Sequence, residues 1–451
     1  VIVIHSPDDP IAALATPAAS SALAVIRISG PGSLRLLSPM VAHSFDPASA
    51  RGHTVHRCII RDGDEEVDEV LITVFRSPKS YTGEDGAEIS CHGSLPVIRR
   101  LLSLLSRSGF RAAGPGEFTQ RAFLNGRMGL TQAEAVDEIV RAKTDRARGL
   151  ALQRLGGAIE ERVRQARDAL LDLRASLEVL IDYPDEQSEQ SIDVARLDEA
   201  ERIVGELAAT YRQGRVFQEG VSIAIAGATN AGKSSLFNLL LRQERAIVSE
   251  IHGTTRDWLE STASIEGIPV RLFDTAGLRA TDDPVEMESI RRTREVIRSV
   301  DVVVYLVDGT RGMDAADQAL IRAWEGPAPL LRVWNKSDLP GCRPAPEGFL
   351  PLSVLNESGI DELQHAIAQA ALGGTPSDGA EPLVDSERQR DLLARALSGL
   401  KRLREALLAG ATPDLLAVDL ADAMDALGEI SGAVTSAEIL DRMFSRFCVG
   451  K

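Results

Sequence analysis

Gly227-Ala228-Thr229-Asn230-Ala231-Gly232-Lys233-Ser234 stands halfway along the chain. It follows the apolar run Val221–Ala226 and precedes a second apolar segment, Ser235–Leu241, so the pattern reads strand, loop, helix. Glycines let a backbone close around phosphate, and the N–H groups opening a helix give it positive potential. In that setting Lys233 is placed to reach β- and γ-phosphates and the Ser234 hydroxyl to bind Mg²⁺, with Ala231, Gly232 and Ser235 completing the cradle. A nucleotide switch that stands alone would open near its N-terminus; this one lies inside something larger.

Three further apolar runs, Pro269–Phe273, Val302–Val307 and Leu330–Trp334, alternate with helical stretches and suit a parallel sheet. Asp274-Thr275-Ala276-Gly277 ends the first of them. Asp274 can hold Mg²⁺ through water, and the Gly277 amide can face a γ-phosphate. Thr254 and Thr255, in Gly253-Thr254-Thr255-Arg256-Asp257, suit a Mg²⁺-covering loop, with Thr255 as the direct ligand. Asn335-Lys336-Ser337-Asp338 reads the base. The Asp338 carboxylate accepts from guanine N1 and N2, whereas adenine leaves it unsatisfied. Ser353-Val354-Leu355 supplies the last base loop, through the Val354 amide.

Leu278 stands where many small GTPases carry a glutamine that orients water, and leucine has no hydrogen bond to give. Glu286 can reach a water directly or through a second one, although as a bare residue it reads first as an exposed helix-start glutamate. Asn230 can offer a side-chain oxygen to a monovalent cation, with backbone carbonyls of Gly253–Asp257 completing the shell, in the electrostatic role of an arginine finger.

The 451 residues predict two or three domains. Mixed strand signals fill 1–118, including Ala22–Ile28 and Val70–Phe75, while Val1–Ile4 reads as a first strand. Helical periodicity dominates 119–213, with one run over 150–180, and returns over Ser386–Leu408 and Ala417–Phe444. The fold class is therefore α/β plus all-α: an N-terminal mixed α/β domain (1–118), a discontinuous helical domain (119–213 and 380–451), and an inserted P-loop domain with a mostly parallel sheet (214–379). A formal charge of −16 argues against a broad nucleic-acid-coating surface. Arg141, Lys143, Arg146, Arg148 and Arg154 could still form a local basic face, although each reads first as part of a solvated helix of mixed charge. Four scattered cysteines show no metal spacing and suit a reducing cytoplasm; no stretch of 18 apolar residues suggests a membrane span.

Several separated motifs carry a resemblance over essentially the whole chain: Tyr81-Thr82-Gly83-Glu84-Asp85, Cys91-His92-Gly93, the run Gly114-Pro115-Gly116-Glu117-Phe118-Thr119-Gln120-Arg121-Ala122-Phe123-Leu124-Asn125, Leu130-Thr131-Gln132-Ala133-Glu134-Ala135, and the terminal Phe447-Cys448-Val449-Gly450-Lys451. The chain resembles the bacterial and organellar tRNA uridine-5-carboxymethylaminomethyl modification GTPases (the MnmE family, TrmE type). The resemblance implies a folate-binding, dimerising N-terminal domain, a helical domain and an inserted Ras-like GTPase domain. It implies GTP, Mg²⁺ and K⁺ as ligands, a tetrahydrofolate one-carbon derivative, a homodimer, and a hetero-oligomer with an FAD- and NADH-using partner that modifies C5 of tRNA uridine 34. On it, Asn230 is a potassium ligand, Ile251 and the Gly253–Asp257 segment form the potassium loop, and Glu286 activates water. Thr275 and Ala276 join the nucleotide contacts. Arg27, Glu84, Arg121, Asn125 and Lys451 become folate-side residues. Cys448 goes to the modification centre, as nucleophile, proton-transfer group or positioning group. Pro17-Ala18-Ala19-Ser20-Ser21 departs from the Gly/Arg-rich segment often found there. The nucleotide motifs alone fit a GTP-dependent ribosome or RNA assembly factor as well.

Overall fold

The computed structural model describes residues 9–42, 45–182, 193–243, 260–274, 300–322, 324, 326–374, 384–433 and 435–451. The chain divides into two compact units, 1–137 with 428–451, and 138–427.

The first unit is built on a six-stranded sheet in the order β3-β4-β5-β2-β1-β6. Its strands are β1 (Ile11–Leu14), β2 (Leu23–Ser29), β3 (Thr54–Asp62), β4 (Glu65–Phe75), β5 (Gly86–His92) and β6 (Arg111–Ala112). Alternation decides which face is buried: Ala24, Ile26 and Ile28 of β2 and Val70, Ile72 and Val74 of β4 point inward at period two. They pack under α1 (Ser33–Leu37) and α2 (Leu95–Arg107), which contributes Ile98, Leu101, Leu104 and Leu105. Helix α3 (Glu117–Leu124) follows, then α4 (Leu130–Arg141). Val1–Ile4 lies outside the described residues.

In the second unit, the periodic run over 150–180 is two helices, not one. Helix α5 (Asp145–Leu155) stops at Gly156-Gly157, where Gly157 has φ 86°, and α6 (Ala158–Asp182) restarts. Helix α6 buries Ile159, Val163, Ala166, Leu170, Leu173 and Leu177, a spacing that alternates four and three residues. It packs on α7 (Val194–Ala209), and α8 (Tyr211–Glu219) leads into the second sheet.

That sheet has the order β12-β11-β10-β7-β9-β8, with β7 (Val221–Gly227), β8 (Glu260–Ile265), β9 (Ile268–Asp274), β10 (Val302–Asp308), β11 (Leu330–Asn335) and β12 (Leu350–Pro351). All neighbours are parallel except β8 and β9. Its helices are α9 (Lys233–Gln243), α10 (Ala315–Arg322) and α11 (Ile360–Leu372). The near-continuous apolar strands β7, β10 and β11 contribute buried residues to both faces.

The remaining helices are α12 (Glu387–Leu408), α13 (Pro413–Ser431) and α14 (Ala437–Phe444). The run expected over Ala417–Phe444 is therefore broken. Gly432 takes φ 87°, and a Cβ there would stand 2.7 Å from ring atoms of Phe123. Among the described residues no helix is long and apolar enough to cross a membrane.

Candidate functional site

Strand β7 lies between β9 and β10, where the connection order reverses, and its carboxyl end is where open α/β sheets bind ligands. The loop leaving it turns through three positive φ values, Gly227 (140°), Asn230 (64°) and Gly232 (103°). Such a backbone points successive N–H groups into one concavity, which fits phosphate. Two glycines are required by contact: a Cβ on Gly227 would run into the Leu306 carbonyl, and one on Gly232 into Asn335 Nδ2. Lys233 Nζ lies across the loop, donating to the carbonyls of Gly227 and Ala228, both at 2.8 Å. Asn230, Ser234 and Ser235 are exposed at its rim, and Ala231 is buried beneath it. This cradle and lysine fit a nucleoside polyphosphate, and the exposed Ser234 hydroxyl fits a hard cation such as Mg²⁺. Asp274 pairs in register with Ile225, which brings the carboxyl end of β9 beside the loop.

The residues expected to read the base gather at the ends of β11 and β12. Asn335, 2% exposed, donates from Nδ2 to the Ala231 carbonyl (2.7 Å) and accepts at Oδ1 from the Val354 amide (3.4 Å). One side chain thus ties the phosphate loop to the final base loop. Lys336 has φ 66°, and its Nζ bonds Asp308 Oδ2 at 2.6 Å. Burial by itself would raise the Asp308 carboxyl, but hydrogen bonds from Lys336 and Thr310 outweigh it and hold the group below the usual range. Asp338 is half-buried beside them. Ser353 is fully buried; its amide bonds the Ser358 carbonyl and its Oγ accepts from Asn356. Asp308 was not singled out in the sequence; its signal is a carboxylate closing the apolar run 302–307.

The N-terminal unit holds a second polar cluster. Arg27 pairs with Glu88 (2.7 Å) and donates to the Gly450 carbonyl (3.2 Å), its guanidinium lying over the rings of Tyr81 and Phe118. Glu84 accepts from Ser29 Oγ (2.7 Å) and faces Arg121 (3.3 Å). Arg121, 3% exposed, also bonds Glu117 and the Asp9 carbonyl, while Asn125 Nδ2 donates to the Thr82 carbonyl. Arg27 and Glu84 line a cavity of about 60 Å³. A larger cavity of about 460 Å³ lies between β1, α2 and β6, lined by Leu14, Leu102, Phe110, Arg111 and Val449. Its size suits a small organic ligand. Arg111 was missed by sequence reasoning, because nothing in a lone arginine after Phe110 marks a cavity wall.

The C-terminal tail packs against this unit. Val449 bridges Pro115, the Gly116 amide donates to the Cys448 carbonyl, and a Cβ on Gly116 would sit 2.8 Å from the Phe444 carbonyl. Cys448 is exposed. Lys451 is half-buried, and burial followed by the neighbouring Arg27 lowers the pKa of its ammonium.

Burial alone would raise the Glu117 carboxyl, but bonds from Arg111, the Gly114 amide and Arg121 hold it at about 2. A depressed folded pKa gives stability that is fully present above the ordinary value near 4.5 and is lost as pH falls through about 2. We expect Glu117→Gln to cost on the order of 3 kcal/mol at neutral pH. Acid titration of the melting temperature should show the variant's deficit shrinking below pH 4.5.

A family model described as the MnmE helical domain matches residues 130–448, and one described as the GTP-binding protein TrmE N-terminus matches 10–127. The tRNA modification GTPase MnmE of Carboxydothermus hydrogenoformans is 38% identical, covering 98% of this chain and 100% of its own. Those of Geobacter sulfurreducens and Chloroflexus aurantiacus are each 41% identical, covering 98% of this chain and 99% and 100% of their own. The chain belongs to the MnmE family.

Within this MnmE-family chain, the predicted residues fall into three groups. The phosphate loop, Asn335, Lys336, Asp338, Ser353 and Val354 come together around one end of the second sheet. Arg27, Glu84, Arg121, Asn125 and Lys451 gather in the N-terminal unit, with Cys448 in the tail beside them. Ile251, Gly253, Thr254, Thr255, Thr275, Ala276, Gly277, Leu278 and Glu286 lie outside the described residues. Of the basic candidates, Arg141, Lys143 and Arg148 are exposed, and Arg146 lies over the Phe217 ring. Arg154 does not belong to a basic face: it is 1% exposed and ion-paired with Glu138 (2.7 Å) and Asp385 (3.0 Å). Among the described residues no cluster of His, Cys, Asp and Glu has metal-site geometry.

Proposed function

We propose that this chain hydrolyses GTP to GDP and phosphate, and that the cycle sets the geometry of domains where C5 of tRNA wobble uridine 34 receives an aminomethyl or carboxymethylaminomethyl group. The observation that carries this is the joining of the phosphate cradle to the base loop through Asn335, in a chain that matches MnmE relatives from end to end. Lys233 binds and orients the β- and γ-phosphates, Ser234 and Asp274 hold Mg²⁺ with Thr255, and Asp338 selects guanine. The metal neutralises charge that develops on the phosphates.

Leu278 leaves no glutamine to orient water, and the resemblance to the family gives that role to Glu286. Asn230, exposed at the loop rim, suits K⁺ together with Ile251 and the Gly253–Asp257 carbonyls. The tetrahydrofolate one-carbon derivative is assigned to the N-terminal unit. Arg27, Glu84, Arg121, Asn125 and Lys451 are the residues that would hold it, and Cys448 serves at the modification centre. The domains follow the three-part division given above. The chain acts as a cytoplasmic homodimer, in a hetero-oligomer with an FAD-dependent partner and tRNA.

The deciding experiment is nucleoside analysis of tRNA after deletion and complementation. Loss and recovery of the uridine-34 modification is the expected result; a ribosome-particle defect with normal uridine 34 would favour an assembly factor. Exchanging K⁺ for Na⁺ should lower the hydrolysis rate at least about tenfold. An equal rate in both salts would remove the cation role of Asn230.

A further inference from the structure

The turn joining β8 to β9 is held by a residue outside the nucleotide-binding sheet. Its two central residues, Glu266 (φ 49°) and Gly267 (φ 78°), are both left-handed, as a tight two-residue hairpin requires. The Gly267 carbonyl accepts a hydrogen bond from Thr144 Oγ1 at 2.8 Å. A Cβ on Gly267 would stand 2.8 Å from Arg146 Cβ, so the turn lies directly against the first turn of α5. Arg146 in turn lies over the ring of Phe217 (5.4 Å), on the helix that leads into β7. At the junction itself, a Cβ on Gly220 would run into the Pro269 carbonyl. The first residues of β9 are thus gripped from two sides. Its seventh residue is Asp274, beside the phosphate loop and roughly 20 Å further along an extended strand.

We propose that Thr144 is a positioning residue that passes the state of the nucleotide site to the helical segments, through its bond to the Gly267 carbonyl at the far end of β9. This rests on the reading of the chain as a nucleotide switch. A paired strand is stiff along its axis, so a shift at Asp274 arrives at Gly267 as a displacement rather than dying out within the sheet.

The Thr144 hydroxyl is suited to read such a displacement because it has two tasks and one proton. It gives that proton to Gly267, and it accepts from the Ala147 amide at 3.2 Å as the N-cap of α5. Moving the carbonyl therefore perturbs the cap that starts the helix. Helix α5 carries the signal onward. Leu150 is buried in the core of the nucleotide-binding sheet, and Arg154, in the last turn, forms ion pairs with Glu138 and Asp385. Asp385 lies two residues before α12, where the chain resumes its helical course after the nucleotide domain. One helix thus touches the start of β9 at its head and the domain's exit at its foot.

The test is hydrogen exchange of the α5 amides in the full chain, with GDP and with a non-hydrolysable GTP analogue, alongside steady-state GTP hydrolysis. In the native chain, protection of α5 differs between the two nucleotides. Thr144→Ser keeps both bonds and keeps the difference. Thr144→Asp caps a helix well but has no proton to give Gly267, so the difference falls at least about fivefold while basal hydrolysis is unchanged. If Thr144→Asp fails to fold, Thr144→Ala read in the same way decides. The proposal is overturned if the aspartate variant retains the native difference, or if α5 in the native chain is indifferent to nucleotide although both are bound. Failure of the parent reading shows elsewhere, as normal hydrolysis without any effect of the chain on uridine 34.

Discussion

We expect Lys233→Ala to lower GTP hydrolysis by about 10³-fold and to abolish uridine-34 modification in a complemented deletion strain. The magnitude follows from what the side chain does. Its ammonium bonds the carbonyls of Gly227 and Ala228 at 2.8 Å, so it is already drawn over the concavity that the positive-φ backbone makes. In the proposed role, that charge meets the β- and γ-phosphates of bound nucleotide, where negative charge grows in the transition state. Alanine removes it and leaves the loop's glycines and the Asn335 clamp in place. Thermal stability should therefore change little, while the rate collapses. A variant that folds, fails to hydrolyse GTP and still supports normal uridine modification would separate the two activities and end the idea of a GTP-driven engine.

The two sheets were legible in the sequence to different degrees. The parallel sheet announced itself because its strands, buried on both faces, are near-continuous apolar runs followed by residues with fixed tasks: Gly227, Asp274, Asn335. The N-terminal sheet was read only in part. Strand β3, Thr54–Asp62, alternates as His56, Cys58 and Ile60 on one side, a mixture that carries little strand signal. Helices were found but their breaks were not. Gly157 and Gly432 end helices because each takes positive φ, and Gly432 also meets Phe123, a contact from 309 positions away that no local pattern reveals.

The same limit applies to the site. Motif order placed the phosphate and base residues correctly in one region, because each motif caps a strand of the same sheet. It did not reveal that Asn335 joins the two loops, or that Asp308 holds Lys336. Both are side-chain contacts between separate strand ends. Arg154 shows the reverse error. As one of five basic residues between 141 and 154 it reads as part of a charged face, yet helical phase turns it inward beside Leu150 and Ala151.

That inward turn predicts a large effect on stability. Arg154 sits at 1% exposure between the carboxylates of Glu138 and Asp385, whose side chains are 14% and 5% exposed. Arg154→Met keeps the length and apolar stem of the side chain but removes the cation, leaving two carboxylates buried near each other. Breaking a buried ion pair from one side typically costs about 3–5 kcal/mol. We expect a loss of that order in denaturant unfolding of the full chain at neutral pH. Replacing all three residues with apolar ones of similar volume should restore most of the loss, because an apolar cluster needs no counter-charge. A single variant as stable as the native chain at pH 7 would mean that water reaches the triad. Arg154 could not then anchor the foot of α5, and the helix would have to be fixed by Leu150 and its neighbours alone.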